Sequence, residues 1–207
     1  IIDKTGAKTI EMLGASFIAD EESIFGTPNE EYIAKEIEWY NSMSNNINDI
    51  NKEGEPPAAW KYAANEHGEI NSNYGLLTMS EQYHDQLGHV ADELVTNPDS
   101  RRACMIYNRP SIWLEYDKGG MSDFICTNAV SYMIRDEKLI SVVQMRSNDV
   151  VYGYKNDYAW QKWIQREVCD LINIDQHENY KTLVKPGDIY WQVQNLHVYE
   201  KHFNLVE

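Results

Sequence analysis

Cysteine is scarce. The 207 residues hold three, Cys104, Cys126 and Cys169, with no CxxC pair among them. That excludes a disulfide framework and fits a reducing, cytoplasmic compartment. Histidine is thin as well. Six are present, none in an HExxH arrangement, and His197 and His202 stand apart from any third ligand in sequence, so no metal is expected. Positive charge is in short supply: 18 Lys and Arg face 33 Asp and Glu, for a net charge of −15. A field of that sign argues against nucleic-acid or anionic-membrane binding, and an anionic small substrate would need a local basic pocket. The plainer reading of the acidity is a solvated surface. No apolar run approaches the roughly 20 residues of a membrane span. No signal peptide is visible, and the chain begins at Ile1 rather than Met, so a trimmed start is expected. GxGxxG, the P-loop, internal repeats, low-complexity runs and long linkers are all missing.

What is there suits one ordinary domain over residues 1–207: 43% hydrophobic and 25% charged, long enough to bury a real core. Residues 9–18 read as a strand. Thr27, Pro28 and Glu30 read as the capped start of a helix whose stripe is Ile33, Ile37 and Tyr40. Glu36 falls on that stripe. It is either a boundary residue whose head reaches solvent or a paired, working carboxylate. Residues 46–57 and 65–75 read as loops. A helix from about Glu81 places Tyr83, Leu87, Val90 and Leu94 on one face. Residues 104–107 form a short strand behind Arg101 and Arg102. These arginines point to opposite faces, one toward its own site and one toward a partner's, or else both are surface charges.

The stretch from Ser122 to Asp157 concentrates the chemistry. Residues 123–134 alternate, with Phe124, Cys126, Asn128, Val130 and Tyr132 on one face. Asp136-Glu137-Lys138 turns the chain, and Leu139 to Arg146 returns as a second strand. Asn156 reads as the N-cap of a helix with Trp160, Ile164, Val168 and Leu171 on its apolar face, Trp163 beside them. Pro186-Gly187-Asp188 reads as a turn before a strand from Ile189 to Tyr199. On it His197 and Tyr199 share a face, to bind a sugar hydroxyl or simply to satisfy each other. Strands and helices mix without regular βαβ alternation, so an α+β domain is expected, one large sheet with helices against it. Cys126 is a nucleophile candidate. A free thiol with pKa about 8.5 is little ionised at neutral pH, and a guanidinium such as Arg146 would raise the thiolate fraction. Cys104 and Cys169 read as small buried hydrophobes.

The run Gln144 to Gly153, QMRSNDVVYG, resembles the thymidylate synthase signature Q-R-S-x-D-x-x-x-G through Arg146, Ser147, Asp149 and Gly153. Cys126, Asp99-Ser100-Arg101-Arg102, Tyr74-Gly75, Gly187-Asp188 and His197-x-Tyr199 extend the likeness over nearly the whole chain. Within that superfamily GEINSNYG, NPDSRR, MSDF-x-CTN, NDYAWQK and LHVY are closer to the deoxycytidylate hydroxymethylases of T-even-type bacteriophages. Departures from thymidylate synthase are Ile125-Cys126-Thr127 for Pro-Cys-His, Asp157 for an Asn, Lys4 for an Arg, and Leu76-Leu77-Thr78 after Tyr74-Gly75 where a Trp is usual. The mobile C-terminal tail has no counterpart before Glu207.

The resemblance implies a thymidylate synthase-like fold that dimerises through its sheet. It implies Cys126 as the thiol that adds to a pyrimidine C6, and Glu36 as organiser of water and proton transfer. Lys4, Arg101, Arg102, Arg146 and Ser147 would hold a 5′-phosphate, the paired arginines in the neighbouring subunit's site. Asn148 would join the nucleotide contacts, His197 and Tyr199 would meet the sugar 3′-hydroxyl, and Asp149, Tyr74 and Gly153 would lie toward a folate. Asp157 reads the base. Cytosine N3 accepts and its N4 amino group donates, the reverse of uracil, so a carboxyl sharing one proton with N3 fits cytosine. Either Asp157 keeps that proton, or N3 takes it while the helix N-terminus favours the carboxylate. The implied reaction takes a carbon from 5,10-methylenetetrahydrofolate and water to give 5-hydroxymethyl-dCMP and tetrahydrofolate, in a phage-infected bacterial cytoplasm making modified DNA precursors. A dUMP methylase or hydroxymethylase, an inactive nucleotide-binding scaffold and a Cys–His hydrolase are the alternatives.

Overall fold

The computed structural model describes residues 1–2, 6–174 and 183–206. Its centre is one mixed five-stranded sheet of β1 (Thr9–Ile18), β2 (Cys104–Ile106), β3 (Thr127–Arg135), β4 (Lys138–Asp149) and β5 (Lys185–Tyr199). The order is β1-β5-β4-β3-β2, with β4 and β5 parallel and the other neighbours antiparallel. This is the expected α+β class with one large sheet.

The pleat sorts the side chains. Val130, Tyr132 and Ile134 of β3, Leu139, Val143 and Met145 of β4, and Ile189, Trp191 and Val193 of β5 are buried. Two long helices complete that core: α4 (Gln86–Thr96) through Val90 and Leu94, and α6 (Gly153–Ile174) through Trp160, Ile164, Val168 and Ile172. Gln165 is buried among them without penalty, because its amide donates to the Leu139 carbonyl at 2.8 Å and the Ser141 hydroxyl at 2.9 Å. The opposite face of the sheet is bare. Ile18, Tyr190, Val142, Ser131 and Cys104 stand side by side across all five strands.

Helix α1 (Glu30–Asn41) starts later than expected. Asn29, not Thr27, is its N-cap, accepting from the Tyr32 amide at 3.1 Å; asparagine caps at least as well as threonine. Three short helices were not expected: α2 (Ala58–Ala63) between the two expected loops, α3 (Tyr74–Met79), which takes the last two residues of the second, and α5 (Ile112–Glu115). α3 lies so close to α1 that a Cβ on Gly75 would stand 1.8 Å from the Tyr40 carbonyl oxygen, so no other residue fits. Between α3 and α4, Glu81–Tyr83 is a 3₁₀ turn, and His84 and Asp85 take left-handed backbone before Asp85 caps α4. The expected turn at Pro186-Gly187-Asp188 is part of β5, paired through Leu139 with Pro186 and then Ser141 with Ile189 across an irregularity. An irregular register is what lets a strand accept proline.

Candidate active site

The nucleophile candidate stands just outside the sheet. β3 begins at Thr127, and the register shifts between Thr127 and Ala129. That bulge at Asn128 breaks the expected alternation: Ile125 and Thr127 are buried, then Val130 and Tyr132, so Cys126 does not share the core face of Val130. Bulges re-aim side chains in this way. Cys126 is half-buried, held to β4 by the Arg146 amide donating to its carbonyl at 2.7 Å.

Arg146 lies over the Phe124 ring at 5.1 Å. Its guanidinium donates to the Phe124 carbonyl at 3.1 Å and to the Cys126 Sγ at 3.7 Å. The expected cation is therefore present, and it does lower the thiol pKa. Burial outweighs it, however, and Asp157 and Asp123 add to burial, so the thiol is pushed up to about 11. In the free protein Cys126 is a thiol, contrary to the expected gain in thiolate.

Asp157 sits in the second turn of α6. The helix starts at Gly153 rather than at an Asn156 cap, because Asp149 gathers the amides of Val151 and Tyr152 at 3.1 Å each. Asp157 thus lies beyond the free amides of the first turn, where the helix dipole acts most strongly. Burial raises its pKa to about 8, with the Glu36 charge adding to the rise and bonds from Tyr74 and Asn148 opposing it. The carboxyl is neutral near pH 7. Asn148 donates to its Oδ2 at 2.7 Å, while the Asn148 Oδ1 is buried and open, with no partner among the described residues. A Cβ on Gly153 would press within 3.2 Å of that Asn148 amide, so glycine keeps the pair undisturbed.

Tyr74 does not face an open cleft. Its ring stacks on Tyr40 and abuts Tyr107, and its hydroxyl accepts from Thr127 at 3.0 Å while bonding Asp157. Tyr74, expected toward a folate, is buried here and supports Asp157. Glu36 is 5% exposed, which rules out a head reaching solvent. Its Oε1 accepts from Tyr32 at 2.5 Å and from Trp60 Nε1 at 2.9 Å. Burial raises its pKa, against the pull of those two donors.

Ser147 on β4 lies opposite Asn195, and Asp149 lies opposite His197. His197 and Tyr199 meet edge to face at 5.1 Å. Arg101 and Arg102 are not brought to Cys126. Ala103 accepts from the Tyr132 amide, so the arginines lie level with the far end of β3, roughly 20 Å from Cys126 at a strand's rise. Arg102 there pairs with Glu93 at 3.0 Å on the surface. Lys4 lies outside the described residues. Among the described residues no group of His, Cys, Asp or Glu could hold a metal ion, and no helix is long and apolar enough to cross a membrane.

Sequence reasoning passed over Asp123. It is buried three residues before the nucleophile, and its Oδ2 accepts from the amides of Asn71 at 2.6 Å and Ser72 at 2.8 Å. Its Oδ1 accepts from the Ser72 hydroxyl at 2.7 Å, and Asn71 donates back to the Asp123 carbonyl at 3.0 Å. This clasp ties the nucleophile loop to the segment entering α3. The only signal was an acidic residue at a position that packs inward.

A thiol at the entry to β3, a guanidinium on β4, a neutral aspartic acid on α6 and a buried glutamate on α1 are thus drawn toward one end of the sheet. The chain belongs to the thymidylate synthase family, whose model matches residues 3–207. Over its whole length it is 53% identical to the deoxycytidylate 5-hydroxymethyltransferase of Enterobacteria phage T4, of which it covers 82%, and equally to that of phage T2. Thymidylate synthase of Fusobacterium nucleatum is 26% identical over 82% of this chain and 57% of that protein. Among solved structures, thermostable thymidylate synthase A from Bacillus subtilis superposes with a TM-score of 0.71 at 21% identity, over 99% of this chain and 71% of that one. At that identity it speaks for the fold alone.

Proposed function

We propose that this chain is a dCMP hydroxymethyltransferase, acting as one catalytic domain in the cytoplasm of a phage-infected bacterium. The observation that carries the substrate is Asp157. A carboxyl held neutral near pH 7 donates its proton to cytosine N3 and accepts from the N4 amino group. Uracil reverses both groups: its N3–H would face that O–H, and its O4 would face Oδ2, the oxygen held as an acceptor by Asn148. Sites built on such bonds discriminate by roughly 10⁴. The open Oδ1 of Asn148 offers a second acceptor at the same edge.

Cys126 loses its proton as the nucleotide binds and adds to C6, so that C5 becomes nucleophilic. Arg146 stabilises the developing thiolate at 3.7 Å and, with Ser147, holds the 5′-phosphate; Lys4 closes the same site. His197 and Tyr199 hold the sugar. Bound 5,10-methylenetetrahydrofolate supplies the carbon at the oxidation level of formaldehyde. Asp149 fits that partner: a carboxylate offers about four lone-pair sites, and the two amides it accepts leave others for ring N–H donors. Gly153 keeps that side clear. C5 bonds the supplied carbon, the C5 hydrogen leaves as a proton to water and tetrahydrofolate departs, which leaves an exocyclic methylene on the ring. A second water then bonds to the methylene carbon and gives its proton to Glu36. The electron pair released into the ring restores the C5–C6 double bond and expels Cys126 as thiolate. Arg101 and Arg102, too distant from their own Cys126, serve the phosphate of a second subunit packed on the bare sheet face.

Tritium release from [5-³H]dCMP and [5-³H]dUMP, with the product mass, tests the reading. Release from dCMP with a hydroxymethyl product is expected. Preference for dUMP, or a methyl product, would overturn it. Tight nucleotide binding without turnover would favour the scaffold alternative.

A further inference from the structure

Glu36 has two oxygens in unlike settings. Oε1 takes both available donors, the Tyr32 hydroxyl at 2.5 Å and Trp60 Nε1 at 2.9 Å. The indole also reaches the Tyr32 oxygen at 3.1 Å, which braces the hydroxyl toward the carboxylate. Oε2 has no partner among the described residues. An indole N–H can only donate. Tyr32 is equally fixed, because burial and the Glu36 charge raise its pKa out of reach of ordinary pH. A proton on Oε1 would oppose the indole N–H outright and would need the Tyr32 hydroxyl, whose oxygen already accepts from that indole, to turn away, so Oε2 is the oxygen left to take it.

We propose that Tyr32 is a positioning residue which, braced by Trp60, locks Glu36 Oε1 as a permanent acceptor and leaves Oε2 as the oxygen that takes the proton from the attacking water. The inference rests on the proposed activity for its role, though not for its geometry. Tyr32 lies one helical turn before Glu36 on α1, so its rotation is set by the same backbone that sets the glutamate. Other titratable groups facing Glu36 are Tyr40 on α1, kept neutral by burial, and Asp157 on α6. α2 contributes the uncharged Trp60.

The test is Tyr32→Phe, which keeps the ring and removes the hydroxyl. Protein labelled with ¹³C at the glutamate side-chain carboxyl is titrated by NMR without substrate, the Glu36 signal being identified by its loss in Glu36→Gln. One charge-assisted hydrogen bond is lost, so the Glu36 midpoint is expected to rise by about one pH unit. The acid limb of kcat for dCMP should move up by the same amount, with kcat on that limb about tenfold lower at a given pH and KM for dCMP unchanged. Repeating only the carboxyl titration, with and without Tyr32→Phe, in an Asp157→Asn background removes the coupling to that carboxyl, and the shift should persist. An unchanged Glu36 midpoint, or a fall in kcat with the pH profile unmoved, would overturn the proposal. Absence of dCMP turnover by the unaltered enzyme would count against the proposed activity instead, while the carboxyl titration would still decide the assignment of Tyr32.

Discussion

Asp157→Asn should make the folded protein more stable at alkaline pH, the opposite of what removing a site charge usually does. The carboxyl titrates at about 8 in the folded chain and at about 3.9 once unfolded. Below pH 4 it is protonated in both states and contributes nothing to the difference. Between 4 and 8 the unfolded chain releases the proton and the folded one keeps it, so stability falls as pH rises. Above 8 the folded state has also ionised and the loss is complete. The slope is about 1.4 kcal/mol per pH unit for one group, so the interval from pH 5 to 8 bounds the effect at about 4 kcal/mol. Asp157 is half-buried rather than sealed, and solvent screening reduces the expected loss to about 2 kcal/mol. Asparagine keeps the shape and still accepts from Asn148, so its curve lacks this component. Urea unfolding at half-unit steps from pH 5 to 9 measures both curves. They should diverge by about 2 kcal/mol, with the variant the more stable at pH 8. Parallel curves would refute the neutral-carboxyl argument and with it the account of cytosine recognition.

Other expectations are quicker to check. Iodoacetamide should label Cys126 roughly 100-fold more slowly than a free thiol at pH 8, with the rate still rising tenfold per unit up to pH 10; peptide mass spectrometry separates it from Cys104, and a plateau below pH 9 would contradict the raised thiol. Asp123→Ala orphans two amides and a hydroxyl inside the protein and should cost about 3 kcal/mol in urea unfolding; a loss under 1 kcal/mol would show the clasp to be idle. Mixing Cys126→Ala subunits with an Arg101→Ala, Arg102→Ala double variant should restore about a quarter of wild-type turnover, since half the dimers then hold one complete site; failure to complement would place both arginines outside the partner's site.

β1, β3, β4 and β5 and helices α1, α4 and α6 were legible because each runs for nine residues or more, and tertiary packing only reinforced their periodicity. α2, α3 and α5 were not, because six or four residues amid Asn, Gly and Pro carry no period, and packing rather than propensity forms them. The start of α6 was misjudged for a related reason. Asn156 is a good cap in isolation, but Asp149 from the preceding strand reaches the amides first. The pairing of Cys126 with Arg146 was readable from the signature around Arg146. Their protonation was not. Arg146 beside Cys126 suggested a thiolate, whereas the balance tips on desolvation, with Asp157 brought in from α6 and Asp123 three residues upstream adding to it. Asp123 was silent because its partners, Asn71 and Ser72, lie some fifty residues away.

The place of Asp157 inside α6 bears on how such a site changes over generations. Its backbone is fixed by helix bonds, its neighbours Asn148 and Tyr74 by strand and core, so the side chain can be exchanged without moving anything else. Codons for aspartate and asparagine differ by a single base. Under the proposed reading, two nucleotide preferences therefore stand one point mutation apart on an unchanged scaffold. A lineage can cross between them without passing through an unfolded intermediate. The same arrangement exposes it to the reverse crossing, so continued selection on the product, rather than the architecture, would have to hold the boundary.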